Sequence, residues 1–296
     1  MIKILFFLFC FSSTLLNAQQ ATMVYDLSSP DLLGEMPNEL AEISGLSLAG
    51  HQGNELLAIQ DELGKIFRLS TRTGKMISSI TFWKDGDYEG VEAVGEDIWV
   101  LKSTGTLYQV MDIGLPSQRV EKYNTALTGD NDVEGLTYDP TRNRLLLACK
   151  KDASNDGNSK NGRYIFAFDL ATKTLAEKPV YAIEREAVQN YLLSCEKSTA
   201  HKKLCDFFLV RDEFDLAPSA IAIHPITGQL YITSSVGKVL MVLNINGTID
   251  GLYKLEKNFF PQPEGLAFDP DGTLYISTEA KKKAPARIYR LAYRSK

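Results

Sequence analysis

The sequence predicts an all-β fold, a five-bladed β-propeller of four-stranded antiparallel blades. Three observations predict it. A short signal recurs as Ile43-Ser44-Gly45-Leu46, Tyr88-Glu89-Gly90-Val91, Val133-Glu134-Gly135-Leu136, Pro218-Ser219-Ala220-Ile221 and Pro263-Glu264-Gly265-Leu266. Its small residue falls at 45, 90, 135, 220 and 265, three steps of 45 residues and one of 85, and a fixed period of this size marks stacked or radial units. Between signals, short apolar runs alternate with turn residues in a four-strand rhythm, the content of one propeller blade.

The chain opens with a targeting pattern. Lys3 precedes an apolar run over residues 4–16, and Leu16-Asn17-Ala18 resembles a cleavage site. Residues 1–18 are therefore expected to be a secretory signal, leaving 19–296 as one propeller domain. An uncleaved anchor that keeps the protein on the membrane is the alternative, although the run falls short of the roughly 20 residues of a comfortable span. Residues 22–27 alternate like a strand and are expected to close the ring by pairing with the last blade, which removes an exposed edge.

After its signal, the first unit offers strands at 55–59, 66–69 and 76–82, with Thr73-Gly74 turning between the last two. The second offers 98–101, 106–111 and 119–123, and the third 144–149, 163–170 and 179–183. The 85-residue gap leaves room for a sixth blade. Ala187, Val188, Tyr191, Leu192 and Cys195 instead recur at helical spacing, so one helical insertion near 184–200 is expected, with six blades as the alternative. The fourth unit offers 220–223, 230–233, 239–243 and 252–255, and Asn246-Gly247 supplies the hairpin turn before the last. The fifth has only 273–277 and 287–293 after its signal, one strand short.

A formal net charge of −5 with scattered basic residues carries no nucleic-acid footprint. Cys195 and Cys205 lie close in sequence, and in an exported protein they are expected to form a disulfide, against the alternative of two thiols. Cys149 lies in the apolar run 145–148 and reads as a small core residue.

The five repeats resemble the SdiA-regulated family, which takes in YjiK-like and calcium-regulated propeller proteins. Asp132-Val133-Glu134-Gly135-Leu136 and Gln262-Pro263-Glu264-Gly265-Leu266-Ala267 carry the likeness most clearly. The resemblance runs from about Val24 to the end of the chain. It implies a propeller at the bacterial envelope, in the periplasm or attached to the membrane, with a link to calcium and no settled reaction.

If each signal opens an innermost strand, Ser44, Glu89, Glu134, Ser219 and Glu264 ring one mouth of the channel. Two positions earlier stand Glu42, Asp87, Asp132, Ala217 and Gln262. Two unit charges about 6 Å apart repel by roughly 3 kcal/mol at an effective dielectric near 20. A proton, a lysine or a hard cation must offset that repulsion. Calcium suits carboxylates, hydroxyls and water, which makes Glu89, Glu134 and Glu264 the candidate metal ligands. The competing account is structural: each ring residue accepts backbone N–H bonds from the next blade, and the following glycine allows the close approach. Zinc is disfavoured, because His51, His201 and His224 lie apart without ligand spacing.

A second group lies at the ends of the second strands, beside the ring: Asp61, Lys102, Lys150 and Glu279. The lysines either balance the ring or present charge to an anionic ligand. With Ser44 and Ser219 these residues form the expected ligand-contacting set. No Gly-x-Ser-x-Gly elbow, phosphate-cradling loop or Ser/His/Asp triad is evident. The expectation is a monomeric exported propeller that binds calcium and takes a small ligand or envelope protein at its mouth. The alternatives are a metal-assisted hydrolase of phosphate or other esters, and a metal-free envelope scaffold.

Overall fold

The apolar runs fold as five antiparallel meanders arranged around a channel. The structure, a computed structural model, describes residues 23–49, 53–151, 161–195, 198–281 and 284–294. The expected signal segment, residues 1–18, lies outside the described residues.

β1 (Asp31–Glu35) precedes the first full blade, which comprises β2 (Ile43–Ala49), β3 (Glu55–Gln60), β4 (Lys65–Ser70) and β5 (Met76–Thr81). Blade two comprises β6 (Tyr88–Val94), β7 (Asp97–Lys102), β8 (Leu107–Met111) and β9 (Arg119–Tyr123). Blade three has β10 (Val133–Asp139), β11 (Arg144–Cys149) and β12 (Gly162–Asp169), with its outer position shared between β13 (Thr174–Leu175) and β14 (Tyr181–Glu184). Helices α1 (Arg185–Ser194) and α2 (Thr199–Phe208) follow. Blade four comprises β15 (Pro218–Ile223), β16 (Leu230–Ser234), β17 (Val239–Leu243) and β18 (Ile249–Lys254). Blade five comprises β19 (Pro263–Phe268), β20 (Leu274–Thr278), β21 (Arg287–Leu291) and, from the other end of the chain, β1.

Hydrophobicity falls outward along each blade. The inner strand β19 and the second strand β20 are buried along their whole length, whereas the outermost β5 and β9 are largely exposed. The cores lie between blades. Leu57, Ile59, Val91 and Val100 fill the gap between blades one and two, Trp99, Leu101, Leu136 and Leu147 that between two and three. Leu46, Leu56, Ala267 and Ile288 join blades one and five across the closure.

The ring closes through an N-terminal strand, as expected, but with different residues. The pairing strand is β1, residues 31–35, not 22–27. The apolar residues of the earlier segment serve packing instead of a ladder. Tyr25 is buried among Tyr231, Phe268 and Tyr293, and its hydroxyl donates to the Gly272 carbonyl at 2.6 Å. β1 runs antiparallel to β21, with a bulge between Leu32 and Gly34 and an Arg287–Glu35 ion pair at 2.8 Å.

The insertion holds two helices where one was expected. Ser198 caps α2 by accepting from His201 N at 3.0 Å, and Leu204 and Phe208 pack into the core between blades three and four. No sixth sheet occurs among the described residues. The expected Cys195–Cys205 bridge is absent. Cys195 Sγ lies 3.2 Å from the Tyr191 carbonyl within α1's last turn, while Cys205 Sγ lies 3.0 Å from His201 Nε2 within α2. Each sulfur is held by its own helix.

Candidate functional site at the channel mouth

Every inner strand carries the same irregularity in the same place. Its ladder with the second strand slips at Ile43/Gly45, Tyr88/Gly90, Val133/Gly135, Pro218/Ala220 and Pro263/Gly265. The extra residue in each bulge is Ser44, Glu89, Glu134, Ser219 or Glu264, the ring residue of the repeat. A bulge removes one residue from the ladder and re-aims its side chain. The five-fold sequence signal is thus a five-fold bulge at one end of the channel.

The residue after the bulge must be small because the next blade is close. A Cβ on Gly90 would meet Leu136 Cβ at 2.6 Å, and one on Gly45 would meet the Gly90 Cα at 3.1 Å. A Cβ on Gly265 would meet Leu46 Cγ at 2.9 Å. The structural account of the repeat therefore holds for the glycines.

The two serines also serve structure. Ser219 Oγ donates to the Pro263 carbonyl at 2.7 Å, tying blade four to blade five. Ser44 Oγ donates to the Glu42 carbonyl at 3.1 Å.

The three glutamates behave differently. Glu134 and Glu264 are buried and Glu89 is mostly so. Burial, then the neighbouring Glu134 and Asp87, pushes the Glu89 carboxyl up to about 9. Burial pushes Glu134 up to about 7, although Lys150 pulls the other way. Glu264 is raised well above the usual range by burial and then by Glu134 and Glu279. Each like-charged neighbour makes ionisation harder for the next.

Of the second group, Asp61 and Glu279 join this field. Burial, then Glu42 and Glu62, raises Asp61 to about 6. Burial, then Asp61 and Glu42, raises Glu279 to about 7. Asp61 Oδ1 is a buried acceptor without a partner, a feature that asks for an explanation in any folded protein. Gln262 Nε2 donates to Glu279, and Ser103 Oγ to Asp87.

The lysines divide. Lys150 forms an ion pair with Glu134. Burial works against its charge, but the Glu134 carboxylate outweighs it and holds the ammonium above its usual range. Lys151 pairs with Asp132 at 3.0 Å. Lys102 lies opposite Tyr88 in the β6–β7 ladder and makes no ion pair among the described residues. The mouth thus holds five interacting carboxyl groups, Asp61, Glu89, Glu134, Glu264 and Glu279, and Lys150 is paired within them. Among the described residues Lys150 is the lysine paired with a ring glutamate. The oxygen donors suit a hard cation in kind, but among the described residues no three acidic, histidine or cysteine side chains converge into a metal cage as they stand.

Two charged residues of the inner strands lie outside the repeated signal, Asp139 on β10 and Glu92 on β6. Glu92, three residues beyond Glu89 on β6, accepts from Ser47 Oγ at 2.9 Å. It lies toward the opposite end of the channel and belongs to a separate cavity.

The SdiA-regulated family model matches residues 33–155 and 170–292. No curated protein matches the sequence. Among solved structures, glutaminyl cyclase from Myxococcus xanthus aligns at 14% identity over 89% of this chain and 94% of its own, with a TM-score of 0.53. The PQQ-bound aldose sugar dehydrogenase from Streptomyces coelicolor aligns at 12% identity over 89% of this chain and 98% of its own, with a TM-score of 0.50. At these identities the likeness is one of fold.

Proposed function

The chain belongs to the SdiA-regulated family, and we propose that it is an exported propeller whose acidic channel mouth exchanges protons for a cation and binds its ligand or partner there. The observation that carries this reading is the group of five carboxyl groups raised by burial and by one another. A structural lock needs the glycines and serines of the repeat; it does not need several acids whose charges oppose folding. The orphaned Asp61 Oδ1 adds an acceptor with nothing to accept from.

Calcium is the cation to test first, because every donor is oxygen. Glu89, Glu134 and Glu264 would hold it by drawing together, since they do not converge as they stand. Bound there, it would supply positive charge that the ring otherwise draws from protons and Lys150. The chain's own residues carry the rest: Lys150 latches Glu134, and Gln262 holds Glu279.

The test is a thermal melt of residues 19–296 with calcium, magnesium or chelator, beside the triple variant Glu89→Gln, Glu134→Gln, Glu264→Gln. A ligand that binds only the folded state stabilises it by about 2.7 kcal/mol at a hundredfold excess over its dissociation constant. A calcium-dependent rise that the triple variant lacks supports the reading. A flat melt at millimolar calcium in the parent protein overturns it.

A further inference from the structure

At the end of the channel away from the ring, the five inner strands enclose a cavity of about 290 Å³. Its floor repeats the geometry of the mouth one step further along. Ser47, Glu92, Thr137, Ala222 and Ala267 each stand three residues beyond a ring residue, and all five line the cavity. One side of this second tier is polar and the other is methyl groups. Above it the walls are chiefly apolar, with Leu48, Tyr138, Ile223, Leu266 and Phe268 among them.

Glu92 is the one charged group of the cavity without a counter-charge. Ser47 Oγ donates to it at 2.9 Å, and Thr137 and the backbone N–H groups of Tyr138 and Ala93 also favour its ionised form. Burial nevertheless outweighs these donors and raises the carboxyl to about 7. The remaining charges of the lining are spent: Asp139 pairs with Arg144 at 2.9 Å and with Arg142 at 3.4 Å. His224 is held neutral by burial, its Nδ1 accepting from the backbone N–H groups of Ile226 and Thr227 at 3.2 Å. Hydrogen bonds alone leave the carboxylate marginal, whereas a cation brought by a ligand would complete it. A concave, largely apolar cavity with a few converging polar groups is the usual form of a small-molecule site.

We propose that this cavity is a second binding site, separate from the acidic mouth, for a small amphipathic amine whose ammonium meets Glu92 and whose aromatic or aliphatic body lies against Tyr138, Ile223, Leu266 and Phe268. A metal ion is a poorer occupant, because Glu92 is the cavity's one carboxylate not already in an ion pair and it faces a mainly apolar wall.

The experiment is calorimetric titration of the folded protein with 2-phenylethylamine and with its neutral isostere 2-phenylethanol. The amine is expected to bind at least tenfold more tightly at pH 8. Its advantage is expected to shrink at pH 6, where Glu92 takes up a proton while the amine stays charged and Asp139 stays paired. Glu92→Gln should abolish the preference, and Glu89→Gln should leave it intact. Should Glu92→Gln fail to fold, Leu48→Trp tests the same cavity by narrowing it, and loss of amine binding is expected. Equal binding of amine and alcohol, no binding of either at millimolar concentration, or an amine preference that survives Glu92→Gln would each overturn the proposal. The calcium response of the mouth plays no part in these readouts, so the two sites fail or stand independently.

Discussion

Replacing Glu89 by glutamine should make the protein more stable, and the gain should depend on pH in a defined way. The unfolded carboxyl titrates near its ordinary value of 4.5, and the folded one near about 9. A carboxyl whose folded pKa is raised opposes folding once the pH exceeds its unfolded value. The penalty grows as pH rises and levels off above the folded pKa. Each pH unit in that window costs about 1.4 kcal/mol. At pH 7 the window spans about 2.5 units, so the penalty is on the order of 3 kcal/mol; at pH 5 it is under about 1 kcal/mol. The value at pH 7 depends only on the folded carboxyl staying protonated there. Glutamine keeps the shape and removes the titration. For a domain of this size each kcal/mol moves the melting temperature by roughly 2–4 °C. The variant should therefore gain roughly 6–12 °C over the parent at pH 7 and no more than about 4 °C at pH 5. The melts are run with chelator, so that no cation offsets the charge. An equal shift at both pH values would refute the claim that burial and neighbouring acids hold Glu89 protonated.

Other consequences follow from the ring's construction. Gly90→Ala forces a methyl group against Leu136 Cβ at 2.6 Å, and overpacking of this kind costs ~1–3 kcal/mol, measurable as a lower urea midpoint with an unchanged slope. Ser219→Ala removes the 2.7 Å bond to the Pro263 carbonyl. A loss of ~0.5–1.5 kcal/mol is expected, and a neutral result would show that the bond does not tie the two blades. The double variant Cys195→Ser, Cys205→Ser should melt within a few degrees of the parent under oxidising conditions, because no bridge joins the helices. A drop of the ~2–4 kcal/mol typical of a lost disulfide would show that one forms.

The fold was legible because the bulge and the small residue after it are local features repeated at a fixed interval. The same residues that break each ladder let the next blade approach, so one short signal encodes both the inner strand and the blade-to-blade contact. What escaped was set by distant partners. Residues 22–27 read as a strand, but in the structure Tyr25 of that segment packs into an aromatic pocket while 31–35 pairs with β21. α2 carried a readable start in Ser198, but its burial depends on blades three and four. The close spacing of Cys195 and Cys205 says nothing of their being placed on two helices with separate partners. At the site, strand order alone placed Lys150 beside the ring, but its pairing with Glu134 was one of two roles left open. Lys102 did not follow, because it stands opposite Tyr88 as Cys149 stands opposite Val133, one residue out of register with Lys150, whose counterpart in blade two is Ser103. Glu92 stood outside the sequence signal because its significance lies in the cavity that five strands build around it.

Calorimetric titration with calcium at pH 7, in two buffers of different protonation enthalpy, tests the central claim most directly, because the difference in heat counts the protons that move. The account predicts binding with release of about one proton or more per ion, drawn from Glu89 and its neighbours. Binding with no proton released, or no binding at millimolar calcium, would contradict it.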